Sequence, residues 1–131
     1  MVKRWTTNKG SVYNLGYHII FCPKYRRKVL KDKIELRLKE LLYEKAKELE
    51  VTIITLEIMP DHVHIFLKSD PSNAPQFIVQ QLKGYTSFNL RNEFPELVKK
   101  LPSLWTRSYF IESVGVINQD TIIKYIENQK K

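Results

Sequence analysis

From His62 to Leu67 polar and apolar side chains alternate, and a β-branched run, Val51 to Ile58, precedes them across Met59-Pro60-Asp61. Successive strand residues point to opposite faces, so a period of two marks a strand with one face buried. Pro60 and Asp61 suit a tight turn between the two strand-like runs. Any fold open to this chain must hold that pair at its centre, with Val63, Ile65 and Leu67 inward and His62 and His64 outward.

The flanking segments extend the pattern. Ser11 to Cys22 is rich in Val, Tyr, Ile and Phe and reads as a strand stopped by Pro23. After a basic loop, Lys24-Tyr25-Arg26-Arg27-Lys28, Asp32 is the expected N-cap of a helix presenting Ile34, Leu38, Leu41, Leu42, Lys45 and Leu49 on one face. A polar loop, Ser69 to Pro75, leads to a helix over Ala74–Phe94, expected to bury Ile78, Leu82, Tyr85 and Phe88 and to stop at Pro95. Pro102 breaks a basic linker, Arg107 to Val114 reads as a fourth strand ended by Gly115, and Asn118 or Asp120 opens a short helix to Gln129. The order βαββαβ plus a C-terminal helix predicts an α+β, ferredoxin-like (RRM-like) antiparallel sheet with both long helices on one face and the other free for a ligand.

At 131 residues the chain has room for one compact core, so residues 1–131 are read as a single domain. Cys22 is its one cysteine, which excludes a disulfide framework or an all-cysteine zinc site within the chain. The longest stretch without Asp, Glu, Lys or Arg, Gly10 to Pro23, is shorter than the roughly 18 apolar residues of a membrane span. No signal-peptide pattern follows Met1, so a cytosolic protein with no membrane partner is expected. Twenty-two Lys and Arg against 14 Asp and Glu leave a formal charge of +8, which favours a polyanionic partner such as nucleic acid.

His62 and His64 are two of three histidines. Two residues apart on a strand, they share a face with Cα atoms about 7 Å apart, and two neutral imidazoles at that separation can converge on one cation. A bare His-x-His is more often a pair of half-exposed strand residues. Asp61 raises the metal reading, as a ligand or as an acceptor that orients an imidazole. With no clustered carboxylates or cysteines beside it, the pair suits an open catalytic site better than a closed structural one. His18 has no such company and is expected to be a satisfied strand histidine. Tyr125 and Gln129, four apart on the last helix, stack on one flank with about 6 Å of rise between them. Packing explains that spacing unless the flank faces the histidines.

Met59-Pro60-Asp61-His62-Val63-His64-Ile65, then Lys83-Gly84-Tyr85-Thr86-Ser87, then Tyr125-Ile126-Glu127-Asn128-Gln129 resemble the single-tyrosine HUH transposases of the insertion sequence (IS) 200/605 family. Tyr17-His18-Ile19-Ile20-Phe21, Lys24 to Lys28, Leu104-Trp105 and Ser108-Tyr109-Phe110 match further segments in family order. The resemblance implies that His62, His64 and Gln129 bind a divalent metal, magnesium with manganese able to substitute. It implies that Tyr125 attacks single-stranded DNA to form a 5′-phosphotyrosine and a free 3′-hydroxyl. It further implies a homodimer whose active site is assembled either within one chain or between two, hairpins at the DNA ends, and a prokaryotic cytoplasm with the nucleoid as workplace. Lys24, Arg26, Arg27 and Lys28 are the expected DNA-phosphate contacts, with Lys99, Lys100 and Arg107 a second basic group. The competing readings are a single-strand RNA-binding module on the same fold, a metal-responsive DNA-binding regulator, and a domesticated relative cutting chromosomal repeats. The first lacks its aromatic Gly-Phe-Gly-Phe signature here; the second requires Tyr125→Phe to keep all activity.

Overall fold

The computed structural model describes residues 14–117 and 127–128. Strand β1 (Asn14–Phe21) leads through a 3-10 turn at Lys24–Arg26 into α1 (Asp32–Leu49), and β2 (Thr52–Met59) and β3 (His62–Ser69) form the central hairpin. Helices α2 (Pro75–Glu93) and α3 (Pro95–Lys100) precede β4 (Phe110–Ile117). All strand pairs are antiparallel, and the sheet order is β2-β3-β1-β4. This is the arrangement expected of a ferredoxin-like chain, in which the first and third strands lie at the centre.

One face of the sheet makes the core. Ile19 and Phe21 of β1 and Val63, Ile65 and Leu67 of β3 are buried against Leu38, Leu41 and Leu42 of α1 and Ile78, Val79 and Leu82 of α2. The helices bury those residues because they recur three and four apart, giving each helix one apolar stripe. Lys31, not Asp32, caps α1: its carbonyl accepts the first helical bond from Glu35 N–H, and no side chain caps the turn. At the other end Glu50 turns left-handed (φ 60°), so Val51 N–H reaches back to the Ala46 carbonyl at 3.0 Å and closes the helix.

Further expectations change at Phe88, after Pro95 and at both ends of β4. Phe88 is 70% exposed, because it lies off the Leu82-Thr86-Leu90 stripe that α2 buries. Pro95 ends α2 and also opens α3, where a fixed φ and a missing N–H suit a first helical position. Strand β4 begins at Phe110 rather than Arg107, since the carbonyls of Thr106 and Arg107 accept bonds from Lys83 Nζ at 2.6 and 3.3 Å. It also runs on through Gly115, which pairs with Gly16 beside a bulge in β4, where Val114 is the extra residue.

Candidate functional site

The strand register assembles the second face of the sheet. Ile20 pairs with His64 and Phe110, His64 with Glu57, His18 with Phe66 and Glu112, and His62 with Met59. Cross-strand partners share a face, so all three histidines lie on the side away from the helices, with Glu57 and Glu112 beside them. That face is not wholly free. His18, Phe66 and Lys68 are buried, whereas His62 and His64 keep 31% and 26% of their side chains exposed at the turn end.

The sheet presents the two expected histidines differently. His62 Nδ1 lies 2.8 Å from Asp61 Oδ1, so the ring donates its Nδ1 proton to the carboxylate and Nε2 is the nitrogen left outside that bond. Asp61 Oδ2 accepts from Arg26 Nη2 at 3.0 Å. The hydrogen bond from His62, reinforced by the Arg26 cation, holds the Asp61 carboxyl below its usual range and therefore ionised. His64 has Glu57 Oε1 3.6 Å from its Nδ1 and His18 Nε2 2.8 Å from its Nε2.

The His18 contact overturns the expectation that His18 stands apart. It is satisfied, as expected, but by His64 itself. Burial, then the neighbouring His64, lowers the His18 pKa against the opposing pull of Glu112, so His18 is neutral near pH 7. The sequence carried a usable signal: His18 alternates with the inward-facing Tyr17 and Ile19, which sends it to the same face as His62 and His64 once β1 is known to pair with β3.

His62 Nε2 is the ring nitrogen left open to a divalent cation, whereas His64 Nε2 is engaged by His18 at 2.8 Å and would have to give up that contact to become a ligand. His64 projects from the same face of β3 with its ring centroid 6.2 Å from that of His62. Among the described residues no group of three or more His, Cys, Asp or Glu is placed to hold a metal ion. The structure places Asp61 as an orienting acceptor for His62. Tyr125 and Gln129 lie outside the described residues.

The basic loop divides. Arg26 turns to Asp61 and Lys24 Nζ sits 5.7 Å above the exposed Tyr25 ring. Arg27 and Lys28 instead line a cleft of about 430 Å³ between the start of α1 and α3, together with Lys31, Lys33 and Lys100. Asp32 and Glu96 are the carboxylates of that lining, so the cleft is net positive. Arg107 is not part of that lining; its carbonyl accepts from Lys83 Nζ at 3.3 Å.

A four-stranded antiparallel sheet with helices on one face and three histidines on the other defines an α+β protein of ferredoxin-like architecture. The comparisons identify which kind. The family described as "Transposase IS200 like" matches residues 11–129, and the chain belongs to that family. It is 40% identical over 123 residues to the ISDra2 transposase TnpA of Deinococcus radiodurans, covering 92% of this chain and 88% of that protein. It is 31% identical over 119 residues to the IS200 transposase of Salmonella typhimurium, covering 89% and 78%. A solved Deinococcus radiodurans structure described as a transposase superposes with a TM-score of 0.77 at 36% identity, covering 95% of this chain and 97% of that one. A REP-associated tyrosine transposase bound to a REP hairpin shares the fold at a TM-score of 0.59 and 9% identity, covering 93% and 69%. Among the described residues, no helix is long and apolar enough to cross a membrane.

Proposed function

We propose that this transposase cleaves and rejoins single-stranded DNA at the ends of an insertion sequence, using Tyr125 as nucleophile and a metal held by His62, His64 and Gln129. The observation that carries the reading is the pair of strand histidines on one sheet face, one of them oriented by Asp61, in a chain of the IS200-like family. A divalent cation, magnesium in the cell with manganese able to substitute, would supply Lewis-acid charge to the scissile phosphate oxygens. As ligands, His62 and His64 would be neutral imidazoles, which leave most of that charge for the phosphate, and Asp61 would hold the His62 ring. Free tyrosine has a pKa near 10, so the phenol must lose its proton as it attacks. Its oxygen bonds to phosphorus, the bond to the 3′ oxygen breaks, and that oxygen leaves as a hydroxyl on taking up a proton. The 5′-phosphotyrosine keeps the phosphodiester energy, and a 3′-hydroxyl later attacks it to join strands without a nucleotide cofactor.

Arg27 and Lys28, which line the positive cleft, would hold phosphates, together with Lys24 of the same loop. Excision needs two cuts and each chain offers one such tyrosine, so two chains are the minimum that holds both ends; the working unit would be a homodimer, with the tyrosine helix serving either its own chain or its partner. The recognised DNA would be hairpin-bearing ends.

The test is cleavage of single-stranded oligonucleotides from the gene's flanks with Mn²⁺, run on a denaturing gel beside Tyr125→Phe. A boiling-resistant, slower band that needs the metal and vanishes in the variant is expected. Tight hairpin binding with no such band in wild type would instead make the chain a binding module.

A further inference from the structure

We propose that Arg26 is a positioning residue for His62, acting through Asp61, so that the basic loop is fastened to the metal-binding turn. The inference rests on the metal reading of His62 and His64. One carboxylate bridges the two groups: Asp61 Oδ2 accepts from Arg26 Nη2 at 3.0 Å and Oδ1 accepts from His62 Nδ1 at 2.8 Å. With both oxygens engaged, the carboxyl cannot swing off the imidazole without breaking the arginine contact as well.

The backbone around Arg26 is built for that reach. Tyr25 and Arg26 are consecutive non-glycine residues in the left-handed region, at φ 61° and 51°, a conformation that the surroundings must enforce. Arg26 N–H bonds to the Pro23 carbonyl at 2.8 Å and Lys24 N–H to the Leu104 carbonyl at 2.8 Å. Leu30 N–H bonds to the Pro60 carbonyl at 3.0 Å, joining the far end of the loop to the same turn that carries Asp61. The neighbouring Arg27 and Lys28 line the cleft instead. A run that reads in sequence as one set of phosphate contacts therefore contains a residue of a different kind.

Coulomb's law makes the test sharp. Removing a cation beside a metal site should tighten metal binding, whereas removing a positioning group should weaken it. Mn²⁺ titration of the DNA-free full chain, read by electron paramagnetic resonance, would compare wild type with Arg26→Ala, Arg26→Lys and Lys39→Ala, the last an exposed lysine on α1. Arg26→Ala should bind Mn²⁺ roughly 10-fold more weakly, with partial rescue by Arg26→Lys and no weakening in Lys39→Ala. Nitrogen-15 spectra of the His62 ring should show the Nδ1–H form in wild type and a tautomer mixture in Arg26→Ala. Arg26 is 64% exposed, so the variant should fold, and its urea midpoint checks this. Equal or tighter Mn²⁺ binding by Arg26→Ala would overturn the inference alone. Absence of Mn²⁺ binding by wild type would overturn the metal reading and the inference with it.

Discussion

The two faces of the sheet are made from alternate residues of the same strands, yet they obey different rules. On β3, Val63, Ile65 and Leu67 are fully buried against the helices, and any side chain of similar size and apolarity would serve there. His62 and His64, interleaved with them, depend on specific atoms: an Asp61 oxygen at 2.8 Å and a His18 nitrogen at 2.8 Å. The helical face stabilises the fold, while the histidine face uses that stability to hold polar groups in one geometry.

Truncation on the two faces should therefore separate stability from metal binding. Leu67→Ala should cost about 2–5 kcal/mol in urea unfolding through the cavity it leaves. His64→Ala, three residues away, should cost about 1 kcal/mol or less and still abolish Mn²⁺ binding. Comparable destabilisation by both would break the contrast.

The helical side has its own polar requirement. Trp105 Nε1–H donates to the buried Thr86 hydroxyl at 3.0 Å. Thr86→Val would leave that donor unmet and should cost about 1–3 kcal/mol, measured the same way. On the outer side of α2, a methyl group added at Gly84 meets nothing within 4 Å. Gly84→Ala should then raise stability by about 0.5–1 kcal/mol through helix propensity. A gain in stability joined to a loss of DNA cleavage would show that this surface is used by another molecule.

The smallest effect sharpens the comparison on β1, where adjacent residues face opposite ways. Burial raises the Tyr17 pKa above 10.0, so its share of stability is full below pH 10 and is lost as pH rises through the folded value. His18 is lowered below 6.5, so its share is full above pH 6.5 and declines as pH falls toward the folded value. Stability measured against pH should lose part of its alkaline limb in Tyr17→Phe and part of its acid limb below pH 6.5 in His18→Asn.

Much of the core was legible because hydrophobic periodicity is a local signal. The stripe Ile34, Leu38, Leu41, Leu42 and the alternation of β3 each declare their inward face without reference to the rest of the chain. Boundaries fared worse where a proline or a side-chain contact acts over distance. Pro95 breaks one helix and starts another, and Lys83 takes the carbonyls of the segment before β4. The alternation of β3 singled out His62 and His64 as sharing a face, the resemblance gave them a role, and Asp61 was adjacent in sequence, so the shared face and the Asp61 contact were legible. Alternation gave the face of His18 but not its neighbour, and nothing local gave the partner of Arg26, because those partners are 46 and 35 residues away and are brought close by strand register and the left-handed turn.

The decisive measurement is Mn²⁺ binding to the full chain with both histidines replaced, His62→Ala and His64→Ala together, beside wild type at neutral pH. If the polar face is the metal centre, wild type binds Mn²⁺ and the double variant, still folded by circular dichroism, does not. Equal binding by the two proteins would place the metal elsewhere and reduce the histidine pair to sheet structure.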